Sequence, residues 1–523
     1  MSLSGNDERQ KRRRAFIIVI LASAVYSAGL AYYAAKRPID GDEGFYSTAA
    51  RLVWQGKAPY RDFFYQQAPL LPYLYSWMWA VHPRSLVAMR FISAACGSIA
   101  VLLWGICLVS LKRLPTNIAL ATFATVLLNP YWVSWNVVVK TFPFANLFMT
   151  ITTMCLYAAL HSTRLRWYFF AGLALGACAS VRSFYGTVLV VVFLWLLNWE
   201  RRTSRLPYPK TLAFLGGSTC GLLPGIVSFV RDSHAFLFNN ILYHQLEAGY
   251  MQWNGKVIEG YQSVKHTALV YFAVLVRLLG SHPYFSVSIV VSIIGGLSLW
   301  KLWKSHDSSY SEPDYLYFQV AFLMLVTYTA VALIPFPPYD QYFDSPLIPF
   351  LIPFITEGLR VTWRTGKQRT IALGLAALIL FAVEIRAETA TQSRDPVWQL
   401  ANYREMTRLI EANSRPDEVV LSFWPGYVFE SGRRYFPGLE DHFVYRIMNK
   451  IGPAEKAQYH VISHDRIMNA ISQREVNLLV LSPWIGEYEN NLSPGDIRAF
   501  HDIINSNYSL VSATKEIGIY RRR

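Results

Sequence analysis

Four acidic residues stand close together near the start of the chain, ahead of a long stretch with no acidic side chain. They are Asp40, Asp42, Glu43 and Asp62, and the next acidic residue after them is Glu200. A carboxylate beside a lipid bilayer costs desolvation free energy, so a cluster of this kind indicates a role. Asp42 is a candidate catalytic carboxylate. It is equally a candidate cap for a helix that starts near Glu43, and the two roles can coexist.

Basic residues occur at the predicted external ends of apolar runs. Lys140, Arg182 and Arg277 could each snorkel to lipid headgroups, and together they could form a basic rim for a phosphate. His244, in NNILYHQLEAGY, is more typical of a solvated loop histidine than of a base. One further polar turn, PFPPYDQYFDSPLIPF, contains paired prolines, which predict a helix-breaking loop. Its polar side chains are Tyr339, Asp340, Gln341, Tyr342 and Asp344.

The composition indicates which elements must position these residues. Of 523 residues, 53% are hydrophobic and 16% are charged, against about 25% charged in soluble proteins. This excludes a disordered chain and a disulfide scaffold. The apolar residues fall in runs that approach the roughly 20 residues needed to cross a bilayer. The first, residues 15–35, lacks a cleavage site and is predicted to be a retained helix, not a removed signal peptide.

The charge distribution predicts a membrane topology. Basic and acidic residues balance over 396–523, so the net charge of +15 lies in 1–395. In residues 1–395 the basic clusters follow the positive-inside rule. Membrane topology therefore explains the net positive charge better than nucleic-acid binding does. Placing the clusters in the cytoplasm predicts about eleven spans, with the N-terminus inside and the C-terminus outside. The spans are 15–35, 86–110, 117–136, 142–160, 167–182, 184–199, 211–230, 284–303, 315–334, 344–360 and 370–387.

The predicted spans leave two large external segments and an outer domain. The first external loop, about 36–85, holds a predicted helix over GFYSTAARLVWQ that ends at Gly56 and Pro59, followed by a predicted interfacial helix over 69–82. The second segment covers about 231–283. The sequence pattern of residues 396–523 predicts a small α/β domain. Its predicted strands cover EVVLSFW and NLLVLSP, and a last strand covers LVSATKEIGIYRR. It lacks a Gly-rich phosphate loop, which argues against nucleotide binding.

The five cysteines all lie in apolar runs and show neither disulfide nor zinc spacing. No metal site is predicted from the sequence. No cofactor is assigned, and dependence on a divalent metal is left open.

Three segments carry a resemblance to a known family. The segment GDEGFYSTAARLVWQGKAPYRDFFYQQAPLLPYLY resembles the first external loop of GT-C glycosyltransferases, in the bacterial branch that includes aminoarabinose transferase and is related to protein O-mannosyltransferases. VRSFYGTV resembles the family's basic turn between two spans, and QYFDSPLIPFLIP its tyrosine-containing turn before a Pro-rich span. The resemblance covers most of the chain. It implies a polytopic α-helical catalytic module over 1–395 and a periplasmic α/β domain over 396–523.

The resemblance also implies an activity and residue roles. The donor would be a sugar on a polyprenyl phosphate, used at the outer face of the bacterial inner membrane, and the acceptor a lipid, glycan or protein. Asp42 matches the catalytic carboxylate and Glu43 its companion, while Arg182, with Lys140, would contact the donor phosphate. The implied substrate pocket contains Tyr65, Gln67, His244, Gln341 and Tyr342. A phosphate leaves as a stabilised anion, so one base suffices, and the reaction would be an inverting displacement.

The sequence departs from the family at three positions and leaves other functions open. Phe142 stands where many relatives have a second acidic residue, Ala68 where they have a lysine, and Gln341 where a basic residue is common. One alternative is an O-antigen ligase or polymerase, and another is a lipid-linked sugar flippase or transporter. A third is a binding domain on a membrane anchor. The absence of a visible inverted repeat argues against a transporter.

Overall fold

A computed structural model of the chain describes residues 5–162, 164–203, 208–247, 268–305, 310–334, 339–392 and 396–523. Contacts divide the chain into two compact units. The first comprises Met1–Ala34, Ser93–Leu223 and Ser263–Thr389, and the second comprises Ala35–Ile92, Pro224–Gln262 and Ala390–Arg523. The second unit therefore contains both the predicted first external loop and the predicted C-terminal domain. The domain boundary between residues 395 and 396 stays a prediction.

The first unit is built from long apolar helices. In chain order, the helices that lie wholly or mainly in it are Gly5–Lys36, Leu86–Ser110, Thr116–Leu127, Pro130–Trp135, Phe142–Leu160, Leu165–Val181, Tyr185–Thr203, Pro209–Arg231, Ala268–Ser281, Pro283–Lys304, Glu312–Ala332, the 3₁₀ helix Asp340–Tyr342, Ile348–Thr365 and Lys367–Gln392. Every predicted span overlaps at least one of them. Within the described residues, six helices are long and apolar enough to cross a membrane on their own. They are Glu8–Lys36, Leu86–Ser110, Phe142–Leu160, Pro209–Arg231, Pro283–Lys304 and Glu312–Ala332.

The predicted span 117–136 is wrong as a single helix. The first helix ends at Leu127, and a second begins at Pro130. Asn129 caps the second helix, because its side chain accepts a hydrogen bond of 2.7 Å from the backbone N–H of Trp132. A proline at the first helical position has no N–H to donate and fits a helix start, which explains the break.

Two helices of the first unit approach each other through glycines. The glycines are Gly172 and Gly176 on Leu165–Val181, and Gly217 and Gly221 on Pro209–Arg231. A Cβ atom added at Gly217 would lie 1.9 Å from the carbonyl oxygen of Phe169, so the two backbones are in direct contact. This spacing of small residues is the pattern by which helices pack closely in membranes.

The second unit contains the loop helix, Glu43–Trp54, which confirms the helix predicted in the first external loop. Its apolar side chains Phe45, Ala49 and Leu52 are buried. Gln55 is its C-terminal cap and Gly56, with a φ of 86°, follows it, as expected for a glycine after a helix. The predicted helix over 69–82 is present as two short helices, Leu70–Ser76 and Met78–Val81.

The remaining helices of the second unit lie in the predicted second external segment and in residues 396–523. They are Ser233–Leu237, the π-helix Phe238–Leu242, the 3₁₀ helices Pro396–Trp398 and His442–Arg446, and Leu400–Ala412, Gly426–Ser431, Pro453–Gln458, His464–Ser472, Ile485–Glu489 and Pro494–Asn507. Residues 248–267, which fall in the predicted segment 231–283, lie outside the described residues.

A five-stranded sheet forms the centre of residues 396–523. Its strands are β1 (Val419–Ser422), β2 (Arg434–Tyr435), β3 (Leu478–Leu481), β4 (Tyr508–Thr514) and β5 (Ile517–Arg522), in the order β2-β1-β3-β5-β4. β1 pairs in parallel with β2 and β3, whereas β5 is antiparallel to β3 and β4. The predicted single last strand is therefore a hairpin, because the chain reverses at Lys515, where φ is 42°. The α/β class of this region is confirmed.

Candidate functional site

The acidic turn, residues 40–43, leads into the loop helix. Asp42 is the N-cap residue, but its backbone is helical (φ −73°, ψ −20°) and its side chain makes no capping hydrogen bond. Instead, the backbone N–H of Asp42 donates to Oδ1 of Asp40 at 3.0 Å, and that of Asp40 donates to Oε2 of Glu43 at 2.9 Å. Asp42 therefore stands at the N-cap position of the helix, but its side chain does not accept the hydrogen bond that a capping residue usually accepts. Its side chain is only partly buried.

Glu43 is fully buried and forms an ion pair with Arg90, which is also fully buried. Arg90 lies near the start of helix Leu86–Ser110, in the part that belongs to the second unit. Its Nε donates to Oε1 of Glu43 at 2.7 Å, and its Nη2 to Oε2. The same guanidinium donates to the carbonyls of Arg37 at 2.7 Å and Pro38 at 3.0 Å. This network fixes the backbone on both sides of Asp42.

Asp441 and His442 are two buried titratable residues that pack near the loop helix. The His442 ring lies 5.9 Å from that of Phe45, and Oδ1 of Asp441 accepts a hydrogen bond of 2.9 Å from the N–H of Phe443. Burial raises the pKa of Asp441 well above its usual range, and the negative charge of Asp42 adds to this. Burial lowers the pKa of His442 to about 3. Asp441 therefore binds its proton more tightly than a solvated aspartate does, and His442 is neutral at pH 7.

The structure places the predicted pocket residues of the second unit around one segment. Tyr65 is buried, with its backbone N–H donating to Oδ1 of Asn239 at 3.2 Å. The carbonyl of Gln67 accepts a hydrogen bond of 2.5 Å from the Tyr60 hydroxyl. These two residues are therefore held by backbone hydrogen bonds, which fixes the course of the chain after the loop helix.

His244 joins this segment to a charged group. Its Nε2 donates to the carbonyl of Gln66 at 3.0 Å, and its Nδ1 lies 3.5 Å from Oε2 of Glu247. Burial opposes ionisation of Glu247, but the charge of Arg446 and hydrogen bonds from His244 and Arg446 outweigh it and lower its pKa to about 2. The His244 side chain is 42% exposed, so it is solvated as expected. Its contacts with Gln66 and Glu247 nevertheless tie it to neighbouring residues.

In the first unit, Arg182 is surrounded by aromatic rings. It follows helix Leu165–Val181, and only 8% of its surface is exposed. Its guanidinium carbon lies 4.5 Å from the ring centre of Tyr342 and 4.7 Å from that of Phe142, and Nη1 donates to Oγ1 of Thr141 at 3.0 Å. Aromatic faces stabilise a cation without neutralising it. Phe142 is thus part of the arginine's surroundings.

Lys140 and Gln341 contact each other in the same unit. The Nζ atom of Lys140 donates to Oε1 of Gln341 at 3.2 Å and lies 4.9 Å from the ring centre of Trp135. The indole N–H of Trp135 in turn donates to Oδ2 of Asp344 at 3.3 Å. The structure therefore brings Lys140 and Arg182, but not the third predicted basic residue Arg277, into contact with Gln341 and Tyr342. We refer to Lys140, Thr141, Arg182, Gln341 and Tyr342 as the basic cluster.

Arg90, Asp441, His442 and Trp424 are residues near the acidic turn that the sequence analysis missed. The sequence could have indicated a role for Arg90, because an arginine inside an apolar run needs a partner. It could not have indicated the other three, which lie more than 300 residues from the acidic turn in sequence. Within the part of the chain that the structure describes, no group of three His, Cys, Asp or Glu side chains is placed to hold a metal ion.

Comparison with known proteins identifies the fold. Residues 66–223 match the family model described as dolichyl-phosphate-mannose-protein mannosyltransferase. The chain is similar to ArnT from Cupriavidus metallidurans bound to undecaprenyl phosphate, with a TM-score of 0.62 and 13% identity over 96% of this chain and 97% of that chain. It also matches the oligosaccharyltransferase of Archaeoglobus fulgidus in the apo form, with a TM-score of 0.55 and 12% identity over 98% of this chain and 74% of that chain. No curated protein matches.

Structural similarity at such low identity concerns the fold and not the activity. Together with the apolar helices, it confirms the predicted class, a multi-pass helical membrane protein with a small C-terminal sheet region.

Proposed function

Because the chain has the GT-C fold, we propose that it transfers a sugar from a polyprenyl-phosphate donor to a hydroxyl group of an envelope lipid, glycan or protein. The observation that carries this proposal is the acidic turn. Asp42 is partly exposed there, while hydrogen bonds of Asp40, Glu43 and Arg90 hold its backbone. A partly exposed carboxylate on a fixed backbone is suited to accept a proton.

In the proposed reaction, Asp42 acts as general base. The acceptor oxygen attacks the anomeric carbon of the sugar, and the bond from this carbon to the phosphate oxygen breaks. The electron pair leaves with the lipid phosphate, and the acceptor proton goes to Asp42. Attack opposite the leaving group inverts the configuration at the anomeric carbon. General-base assistance of this kind contributes about 10²- to 10⁴-fold to the rate.

Glu43 has a different part in this proposal. Both of its oxygens receive hydrogen bonds from Arg90, and one also receives the N–H of Asp40. A carboxylate in this arrangement is poorly placed to take a proton from a substrate. We therefore assign to Glu43 the positioning of the acidic turn.

The basic cluster is assigned to the donor phosphate. The guanidinium of Arg182 lies against the rings of Tyr342 and Phe142, and Lys140 brings a second cationic side chain to the same cluster. Guanidinium groups bind phosphate oxygens through charge-assisted hydrogen bonds, which would stabilise the leaving group as its charge develops. The fold match to ArnT, whose structure contains undecaprenyl phosphate, supports a lipid of this type. The proposed location is the bacterial inner membrane, with the N-terminus in the cytoplasm and residues 396–523 in the periplasm.

The experiment compares purified full-length variants with polyprenyl-phosphate sugars in lipid nanodiscs. We expect Asp42→Asn to lower kcat by about 10²- to 10⁴-fold, while Arg182→Gln raises the donor KM. The exposed Asp465→Asn variant is the matched control and should retain activity. Release or transfer of labelled sugar, followed by mass spectrometry, measures each reaction.

Full turnover by Asp42→Asn would remove Asp42 as the base. Unchanged donor kinetics in Arg182→Gln would remove Arg182 from the phosphate site. If no polyprenyl-phosphate sugar is consumed by the unmodified protein, the donor class is wrong.

A further inference from the structure

Residues of the C-terminal region hold the acidic turn by its backbone. The indole N–H of Trp424 donates a hydrogen bond of 2.9 Å to the carbonyl of Gly41. The backbone N–H of Ile39 donates to the carbonyl of Trp398 at 2.6 Å. Gly41 within the acidic turn and Ile39 just before it are therefore each hydrogen-bonded to a residue of the C-terminal region.

Three indole rings form the contact surface, and we call Trp398, Trp424 and Trp484 the tryptophan clamp. The rings of Trp424 and Trp484 are stacked, with centres 6.1 Å apart and an interplanar angle of 7°. The Trp398 ring is nearly perpendicular to both, at 6.2 Å from Trp424 and 5.3 Å from Trp484. Trp424 is almost completely buried. The clamp is thus a rigid aromatic surface with defined ring geometry.

The contact between the clamp and the turn admits no side chain at two positions. A Cβ atom at Gly41 would lie 2.9 Å from the Trp484 ring. At Gly44 it would lie 2.7 Å from the Trp424 ring and 3.0 Å from the backbone nitrogen of Gly426. Glycine is therefore required on both sides of Asp42 and Glu43, since the backbone itself touches the indoles.

We propose that the tryptophan clamp positions the carboxylate of Asp42, so that Trp424 is a positioning residue for sugar transfer. This inference rests on the role proposed above for Asp42. The ion pair of Glu43 with Arg90 ties the turn to the start of helix Leu86–Ser110, and the clamp holds it from the C-terminal region. A general base must lie within hydrogen-bond reach of the acceptor hydroxyl, and a displacement of about 1 Å can cost about 10²-fold in rate.

The first test is Trp424→Phe, which keeps an aromatic ring but removes the indole N–H. Trp77→Phe is the matched control, because Trp77 lies in the same unit and is 54% exposed. Hydrogen exchange of residues 39–48 in the full-length protein measures how firmly the turn is held, independently of activity. We expect faster exchange in Trp424→Phe only, with kcat lowered about tenfold and the donor KM changed by less than about twofold.

The second test is Gly44→Ala, with Gly486→Ala as the control. A Cβ atom at Gly486 meets no other atom within 4 Å, whereas one at Gly44 collides with the clamp. We expect the Gly44 variant to reproduce the fast exchange and the loss of kcat, and the control to behave as the unmodified protein.

If hydrogen exchange of residues 39–48 is unchanged in both Trp424→Phe and Gly44→Ala, the clamp does not hold the acidic turn. If exchange is faster but kcat is unchanged, the clamp does not position Asp42 for sugar transfer. If the unmodified protein transfers no sugar, the proposed function fails, but the exchange comparison still decides whether the clamp holds the turn.

Discussion

Replacing Glu43 by glutamine tests whether this residue holds the acidic turn. Glu43 and Arg90 are both fully buried, so the substitution leaves a guanidinium without its counter-charge. Removing one partner of a buried ion pair costs about 3–5 kcal/mol. The glutamine oxygen can still accept one hydrogen bond, and Arg90 keeps the carbonyls of Arg37 and Pro38. We therefore expect a loss near the lower limit, about 3 kcal/mol of unfolding free energy.

A double-mutant cycle with Arg90→Met separates the pair from its surroundings. Arg90→Met leaves the carboxylate and two backbone carbonyls without their donor, so it should also destabilise the protein. The double variant should lose less unfolding free energy than the two single variants together, because no unpaired charge remains. Denaturant and thermal unfolding in detergent measure these differences. The positioning role would be refuted if the losses of unfolding free energy in the two single variants simply added in the double variant. It would also be refuted if Glu43→Gln unfolded like the unmodified protein while its kcat fell as in Asp42→Asn.

Two further predictions concern a buried acid and a helix contact. Because the pKa of Asp441 is raised on folding, the folded chain keeps a proton that the unfolded chain releases above about pH 4. The unfolding free energy should therefore fall as pH rises above about 4, by at most about 1.4 kcal/mol per pH unit. Denaturation curves at a series of pH values measure this fall. Asp441→Asn should remove it, and the exposed Asp465→Asn control should not. Gly217→Ala, whose Cβ would meet the Phe169 carbonyl at 1.9 Å, should lower the melting temperature, whereas Gly216→Ala, which meets no atom within 4 Å, should not.

The sequence predicts the helices well because their signals are local. Apolar runs and basic clusters mark the spans, and apolar residues repeated at helical spacing mark the loop helix over residues 43–54. The prediction fails where one residue changes the outcome. Pro130, with Asn129 as its cap, divides one expected span, and Lys515 turns one expected strand into a hairpin.

The candidate site could be predicted only in part. Asp42 stands out because it belongs to a cluster of four acidic residues that is followed by none until Glu200, and the resemblance supplies Arg182, Lys140 and the pocket residues. The position of Trp424 beside Gly41 could not be foreseen, because nothing in either segment encodes a partner so remote in sequence. The same holds for Asp441, which in sequence is one more acid of a balanced, soluble-like region.

The hydrogen bond from Trp424 to Gly41 has a consequence for synthesis of the chain. Its two residues are 383 positions apart. At about 5–20 residues per second, a ribosome needs roughly 20–80 s to add the second after the first. During that interval the first external loop must wait in the nascent chain without its aromatic support. Newly inserted molecules should therefore hold the acidic turn less firmly until Trp424 has been added, however early their first helices enter the bilayer.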